Sequence, residues 1–282
     1  EATVTSTLTF TNANWDTPQT VTVTGVDDNL VDGTINSTVT VAIDPDNSED
    51  GFDGLSSSSV AITTADDDVA GFTIAETGGS TEVAESGTTD TFTVVLDAQP
   101  ASDVVLDITS SDTGEATVTS TLTFTNANWD TPQTVTVTGV DDDIIDGEQG
   151  STITISVDDA NSDNDFDAVA NQTVTATTTD DDVAGFTVVE SDGSTSVDES
   201  GLTDTFSIVL DAQPASDVVL DITSSDTGEA TVTSTLTFTN ANWDTPQTVT
   251  VTGIDDNIID GIISSTVTIT VDDANSNDDF DN

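Results

Sequence analysis

Carboxylates are the only side chains of this chain suited to acid–base or metal chemistry. The sequence contains Asp+Glu 55 and has no Lys, Arg, His or Cys. Ser-His-Asp and Cys-His nucleophiles, Schiff bases and ordinary zinc sites each need a residue type that is missing. A glycosidase built from two carboxylates would need a cleft around them, which solvated loops at the edge of a sandwich do not offer. We therefore expect that the protein is not an enzyme.

The acidic residues cluster at regular places. One cluster is Asp141-Asp-Asp-Ile-Ile-Asp146, a second is Asp180-Asp-Asp182, and single carboxylates stand at Glu76 and Asp112. Such clusters at the ends of strands can converge on a hard cation that takes oxygen ligands. Calcium suits crowded flexible loops better than magnesium, which prefers a regular octahedron and keeps its water. Acidic loops that are simply solvated are the alternative, and the absence of any countercharge favours the cation.

A second acidic pattern alternates Asp and Asn at Asp159, Asn161, Asp163, Asp165 and Asp167. It returns approximately at 44–53 and 273–281. The pattern lacks the glycine and the final glutamate of an EF-hand loop. A further calcium site and an exposed polar turn therefore both stay open here.

The elements that position these residues repeat along the chain. The block from Glu1 to Gly25 returns unchanged from Glu115 and from Glu229, a period of 114 residues. A period of this size matches a whole domain rather than a solenoid turn. We predict a partial sandwich over 1–68 that lacks its first strands, a complete one over 69–182, and one over 183–282 that lacks its last strand. Further repeats of the same chain, or strand exchange between chains, would complete the outer two.

Strands dominate the predicted structure, because polar and β-branched residues alternate between clusters of Gly, Pro, Asn and Asp. Seven strands are expected in the central module, and they suit an all-β, immunoglobulin-like antiparallel sandwich. Their predicted ranges are 71–77, 88–97, 103–110, 115–125, 131–140, 151–158 and 172–179.

The chain has a formal net charge of −55, which limits the partners that it can bind. No basic side chain can neutralise phosphate, so binding to nucleic acid or to an anionic membrane surface is excluded. No apolar run approaches the roughly 20 residues that span a bilayer, which excludes membrane insertion by a helix. The same charge opposes compaction, so bound cations are expected to offset it. The absence of cysteine makes metal ions the expected source of rigidity in a secreted protein.

The segments Val140-Asp-Asp-Asp-Ile-Ile-Asp-Gly-Glu148 and Thr179-Asp-Asp-Asp-Val-Ala-Gly-Phe-Thr-Val-Val-Glu190 resemble the Calx-beta domain, whose repeats occur in sodium–calcium exchangers and bacterial surface adhesins. The resemblance covers the whole chain as two and a half modules. Gln149 departs from the exchanger pattern, and Asp146 is shorter than the usual Glu, which implies fewer ions or weaker binding. The resemblance implies the following calcium ligands: Asp28, Asp32, Asp66, Asp67 and Asp68 in the first module; Glu76, Asp112, Asp142, Asp146, Asp180, Asp181 and Asp182 in the second; Glu190, Asp226, Asp256 and Asp260 in the third.

Two functions follow for an array of this kind. The first is a calcium-binding structural protein, a stalk or fibre at the cell surface or outside the cell, which assembles with itself or with further repeats. The alternative is an adhesion module that binds surface glycans through Trp15, Trp129 and Trp243 or through calcium. Each tryptophan stands just before a strand, where a large aromatic side chain usually covers the end of a sandwich. Packing is therefore the preferred interpretation of the three tryptophans.

Overall fold

The protein is described by a computed structural model that covers residues 1–259 and 261–281. Its regular structure is almost entirely β, and all pairings between its described strands but one are antiparallel, which confirms the predicted fold class. No helix in these residues is long and apolar enough to cross a membrane. The strands are β1 (Ala2–Val4), β2 (Val23–Gly25), β3 (Ile35–Val41), β4 (Ser58–Thr64), β5 (Phe72–Glu76), β6 (Thr81–Ala84), β7 (Thr89–Leu96), β8 (Val104–Ser110), β9 (Ala116–Val118), β10 (Thr121–Phe124), β11 (Gln133–Gly139), β12 (Gln149–Val157), β13 (Gln172–Thr179), β14 (Phe186–Glu190), β15 (Thr203–Leu210), β16 (Val218–Ser224), β17 (Ala230–Val232), β18 (Thr235–Phe238), β19 (Gln247–Gly253) and β20 (Val267–Val271). Short 3-10 helices are Pro45–Asn47, Asp50–Phe52, Asn164–Phe166 and Asp278–Phe280.

The second repeat, 69–182, has two sheets. One has four strands in the order β5-β7-β11-β9, and the other has five in the order β10-β8-β12-β13-β6. A single cluster of buried side chains joins them and includes Phe92, Val135, Leu106 and Ile155. Phe72, Phe92 and Phe124 belong to this core and are 2%, 0% and 0% exposed. Apolar and polar residues alternate along these strands, and every second residue of a strand points to the same face. Each sheet therefore has one apolar face, and the two apolar faces pack together.

Two differences from the predicted strands concern connections. The range predicted as one strand over 115–125 is divided between β9 and β10, which belong to different sheets. Strand β6 was not predicted, because four residues after a Gly-Gly turn carry little periodic signal. It pairs in parallel with β13, with Ala84 opposite Thr179. This pairing brings the ends of β6 and β13 to the same edge.

The two ends of this sandwich differ. Phe72, the first residue of β5, pairs with Leu96, the last residue of β7. The other end of β7 is at Thr89, which follows closely on β6. The chain therefore enters the repeat at one end and leaves it after β13 at the opposite end.

The outer repeats contain fewer paired strands. The first repeat, 1–68, has two separate pairs, β1-β2 and β3-β4, and none of its residues is buried. The third repeat, 183–282, has a four-stranded sheet, β14-β15-β19-β17, and a three-stranded sheet, β18-β16-β20. Its own buried cluster includes Phe206, Leu220 and Phe238.

Candidate metal centre

Carboxylates from four connections meet at the end of the second repeat where β13 stops. Glu85 follows β6, and Asp180 to Asp182 follow β13. Asp142 and Asp146 lie in the loop between β11 and β12, and Glu115 immediately precedes β9. Strand pairing fixes this arrangement, because β12 begins beside the end of β13 and β9 begins beside the end of β11.

Three of these carboxylates form the centre of the group. One oxygen each from Glu85, Asp180 and Asp182 lies within 4.8 Å of the other two. Among the described residues this is the one group of three or more acidic side chains with that geometry. Glu85 is 1% exposed. Neither oxygen of Glu85 makes a hydrogen bond of regular geometry, although the backbone N–H of Asp181 is near enough to oppose the rise in its pKa. Asp182 Oδ2 and Glu115 Oε2 have no hydrogen-bond partner.

Burial and repulsion act on these carboxylates in the same direction. Burial, followed by the charge of Asp180, raises the pKa of Glu85 to about 7. Burial also raises the pKa of Glu115, with further repulsion from Asp146 and Asp142. The pKa values of Asp146 and Asp182 are raised as well, again chiefly by burial. Glu85 is buried, Glu115 and Asp182 are half-buried and Asp146 is exposed, and the raised pKa values of all four in one place mark a candidate cation site.

Asp180 also organises the loop that carries Asp142 and Asp146. Its Oδ2 accepts hydrogen bonds from the backbone N–H of Asp146 at 3.1 Å and of Gly147 at 2.8 Å. Its Oδ1 accepts one from the N–H of Asp182 at 2.8 Å. Asp142 Oδ1 accepts the N–H of Ile144 at 2.7 Å and closes the loop locally. The loop is therefore held in shape by backbone donors.

The first repeat builds the same loop from equivalent residues. Asp66 accepts hydrogen bonds from the N–H groups of Asp32, Gly33 and Asp68. These donors lower the pKa of Asp66, led by those of Asp68 and Gly33. The pKa of Asp68 is raised by burial, by Asp66 and Asp67, and by Asp27 and Asp28. The predicted ligands Asp28, Asp66, Asp67 and Asp68 are thus brought near one another, and Asp32 contributes a backbone donor.

Other predicted ligands lie apart from the central group. Glu76 ends β5 opposite Phe92, and it is not among the main charges acting on Glu85, Glu115, Asp146 or Asp182. Asp112 accepts the N–H of Gly114 at 2.9 Å, and its charge contributes to the raised pKa of Glu115. Asp181 is exposed beside Asp182 and repels it.

The predicted calcium ligands of the third repeat make mainly local contacts. Glu190 accepts a hydrogen bond from Thr195 Oγ1 at 3.1 Å. Asp226 and Asp256 each accept a local backbone N–H, from Gly228 and Ile258. The predicted ligand Asp260 lies outside the described residues.

Sequence reasoning missed Glu85 and Glu115. Both carried a usable signal, since Glu115 opens the block that occurs three times and Glu85 has a counterpart at Glu199. Their burial was not visible in the sequence, because it depends on the unpredicted strand β6 and on the division between β9 and β10.

Comparison with known proteins finds similar solved structures only at low similarity. No protein-family model matches the sequence, and no curated protein sequence matches it. The apo-form Calx CBD1 domain is 16% identical with a TM-score of 0.30, over 39% of this chain and 98% of that chain. The CBD12 calcium-binding domain of CALX1.1 is 16% identical with a TM-score of 0.30, over 70% of this chain and 80% of that one. Domains 4–9 of the surface layer protein SbsC are 19% identical with a TM-score of 0.28, over 77% and 33%. These values are too low to show a shared family, so the centre is interpreted from its own residues.

The loop that carries Asp142 and Asp146 also contacts the next repeat. The N–H of Gln213 donates to the carbonyl oxygen of Asp143 at 2.7 Å, and Ile145 packs against the core of the third repeat. The junction before it is equivalent, with Gln99 donating to Asn29 at 2.7 Å and Val31 packing against the second core. A single loop thus borders both the acidic centre and the following sandwich.

The alternating acidic pattern over 159–167 has structural partners. Asp163 is 6% exposed and accepts the N–H of Ser102 at 2.8 Å and of Asp165 at 3.2 Å. The latter contact caps the 3-10 helix Asn164–Phe166. Two backbone donors already satisfy this buried carboxylate, which favours the interpretation as a polar turn.

The tryptophans differ among the repeats. Trp129 and Trp243 pack against the second and third cores, which confirms the packing interpretation there. Trp15 is 71% exposed, and its packing stays a prediction, because residues 1–68 include no counterpart of Leu96, whose N–H donates to the carbonyl oxygen of Trp129.

Gly139 positions Glu85 through a close backbone approach. A Cβ atom at Gly139 would overlap the carbonyl group of Ala84, the residue before Glu85, and Gly253 has the same relation to Asp198. We expect Gly139→Ala to destabilise the fold by about 1–3 kcal/mol and to weaken cation binding. Gly150→Ala is the matched control, because a Cβ there meets nothing within 4 Å. Urea unfolding and a calcium titration measure both effects, and equal behaviour of the two variants would contradict this role.

Proposed function

We propose that the second repeat binds Ca²⁺ through Glu85, Asp180 and Asp182, with Asp142, Asp146 and Glu115 around them. The observation that carries this proposal is the carboxylate of Glu85, which is 1% exposed, makes no hydrogen bond of regular geometry and lies within 4.8 Å of oxygens of Asp180 and Asp182. An ionised buried group without a partner is costly, and a chain with Lys+Arg 0 has no side-chain cation to supply one. The resemblance implied Glu76 as the glutamate ligand, and the proposal assigns that role to Glu85.

The donor set favours calcium among common cations. All the available ligand atoms are carboxylate or backbone oxygens, which suit hard cations and not the metals that prefer sulfur or imidazole. The carboxylates come from flexible connections of different lengths, which suits the variable geometry of Ca²⁺ better than the strict octahedron of Mg²⁺.

Calcium titration of the full chain by isothermal calorimetry tests this proposal. Asp182→Asn is expected to weaken binding at the second-repeat site by about tenfold or more, since an interaction with a charged group is worth roughly 1.5–3 kcal/mol. Asp165→Asn removes the same charge from an exposed turn of the same repeat and should leave binding unchanged. Magnesium in place of calcium should bind more weakly. Equal affinities for the two variants would reject the assignment.

We further infer that calcium stiffens the junctions of an extended array, as in a stalk or fibre at the cell surface. The charges of Asp142 and Asp146 act on Glu85, while Asp143 and Ile145, in the same loop, contact the third repeat. Without the ion, like charges on the loop repel one another, so the loop and the contacts beyond it should loosen. Extracellular calcium modules bind with dissociation constants of about 10⁻⁴–10⁻³ M, which fits a structural ion outside the cell.

Small-angle scattering of the 282-residue chain with and without a chelator measures this stiffening. We expect a single elongated form with calcium and a broader distribution of sizes after chelation. Asp182→Asn should resemble the chelated protein even when calcium is present. Identical scattering in all conditions would mean that the backbone bonds and packed side chains at the junctions are sufficient without the ion.

A further inference from the structure

The outer face of the four-stranded sheet in the second repeat is covered with threonines. They alternate with the buried residues of β5, β7, β9 and β11, and we call this surface the threonine face. Cross-strand neighbours on it are Thr134 and Thr93, Thr136 and Thr91, and Thr138 and Thr89. In these four strands, which the structure describes in full, no charged residue stands at an outward position. The face is therefore a patch of hydroxyl and methyl groups.

The same face recurs one period later in the third repeat. Thr248 lies beside Ser207, Thr250 beside Thr205, and Thr252 beside Thr203. Strands β14, β15, β17 and β19, which are also described throughout, have no charged residue at an outward position either. The opposite sheet of the second repeat differs, since Asp107 and Glu82 point outward from β8 and β6. A chain with Asp+Glu 55 and Lys+Arg 0 thus keeps one sheet face free of charge in two successive repeats.

The chemistry of the threonine face allows it to pair with a copy of itself. A hydroxyl group both donates and accepts hydrogen bonds, whereas an ionised carboxylate only accepts them. Two carboxylate surfaces of this protein would repel each other, because no side chain supplies a positive charge. Contact between two threonine faces involves the least repulsion and adds contacts between methyl groups. A second copy of the chain is therefore the partner that this face fits best.

The size of the face sets how many repeats must take part. Four strands spaced about 4.8 Å apart are about 19 Å wide, and the six residues of β11 that pair with β7 are about 20 Å long. One face therefore offers roughly 400 Å², about half of the roughly 800 Å² that each partner contributes to a stable interface. The faces of two repeats together reach that area, so the second and third repeats are expected to act as a pair.

We propose that two copies of the chain associate side by side through the threonine faces of their second and third repeats. A two-fold arrangement presents the same surface from each copy, as in most homodimers. The carboxylates around the faces still repel one another over a Debye length of about 10 Å at 0.1 M salt, which falls to about 3 Å at 1 M. Sodium chloride should therefore strengthen the association. Calcium is not required, because neither Glu85 nor Asp180 belongs to the face, so this proposal is independent of the calcium site.

Sedimentation velocity of the full chain in a chelator, at several protein concentrations and at 0.1 M and 1 M NaCl, measures the association. We expect a reversible dimer whose fraction rises with concentration and with salt. The double variant Thr136→Asp, Thr250→Asp should raise the dissociation constant about tenfold or more, since like charges would face each other across the interface. Its control is Thr154→Asp, Thr268→Asp, which adds the same charges to the outer face of the other sheet and should dimerise like the wild type. A monomeric wild type at 1 M NaCl, or equal effects of the two double variants, overturns the proposal.

Cross-linking identifies the face that meets the second copy, and it does not depend on a variant that carries extra charge. The chain has no cysteine, so Thr136→Cys, Thr250→Cys provides one thiol on each face, whichever repeat of the partner lies opposite. A short bis-maleimide reagent should join two such chains, and Thr154→Cys, Thr268→Cys should stay unlinked under the same conditions. Cross-linking of the second variant in place of the first would put the interface on the other sheet and overturn the assignment. Dimers that form only when calcium is added would overturn it too, because they would point to carboxylates bridged by the ion.

Discussion

Glu85→Gln is expected to stabilise the calcium-free protein and to abolish most of the stabilisation that calcium provides. Glutamine has nearly the same shape but no charge. It therefore removes a buried carboxylate that makes no hydrogen bond of regular geometry. It also removes the repulsion between this carboxylate and Asp180 and Asp182, whose oxygens lie within 4.8 Å. The expected gain in the free energy of unfolding without calcium is on the order of 1–3 kcal/mol at pH 8, the usual cost of a buried unsatisfied group.

With calcium the order of the two proteins should reverse. A ligand that binds only the folded state stabilises it by about 2.7 kcal/mol at a hundred times its dissociation constant. The wild-type protein should gain on this order, whereas Glu85→Gln should gain little. Thermal unfolding at matched calcium concentrations measures the difference in stability between the two proteins, both without calcium and with it.

Glu82→Gln is the matched control, because Glu82 is an exposed residue of β6 three positions away. It should change neither the calcium-free stability nor the response to calcium by more than a few tenths of a kcal/mol. A Glu85→Gln variant that is destabilised without calcium would contradict the proposed unpaired charge.

The calcium-free protein is expected to lose stability as the pH rises from about 4.5 to about 7. The pKa of Glu85 is raised from 4.5 to about 7 in the folded state, mainly by burial. Between these values the folded protein keeps a proton that the unfolded chain releases, so the free energy of unfolding falls with increasing pH. Glu115, Asp146 and Asp182, whose pKa values are also raised, act in the same direction.

Saturating calcium should invert this dependence. Calcium binds the ionised carboxylates, so its affinity and the stabilisation it gives increase as the centre loses protons. Urea unfolding at pH 5, 6, 7 and 8, with calcium and with a chelator, is the measurement. If stability changed with pH in the same way with calcium and with the chelator, the carboxylates with raised pKa values would not be the groups that bind calcium.

The sequence was sufficient to predict the class of fold because alternation is a local property. The identical blocks at Glu1, Glu115 and Glu229 defined the period, and buried β7 and β11 follow directly from their Thr-Val patterns. Strand β6 could not be predicted, since its pairing with β13 joins residues almost a hundred positions apart. Such a contact leaves no periodic trace in four residues.

The candidate centre was predicted in part for the same reason. Asp142 and Asp180 stand in conspicuous acidic runs, and the structure brings these runs together. Glu85 stands alone in a polar stretch, and only the parallel pairing of β6 and β13 places it beside Asp180. Glu85, which is the most buried carboxylate of the centre, was therefore the hardest to recognise from the sequence.

The opposite placement of entry and exit in the second repeat has a mechanical consequence. Tension along a tandem chain would pull β5 from its first residue and β13 from its last, at opposite ends of the sandwich. Strand β13 would then slide lengthwise past β12 and β6, so their hydrogen bonds would be loaded together in shear rather than opened one at a time. The carboxylates of Asp180 and Asp182 lie where the pulled strand leaves the sheet. A cation held there with Glu85 would fasten β13 to the end of its parallel neighbour, at the point where the force enters.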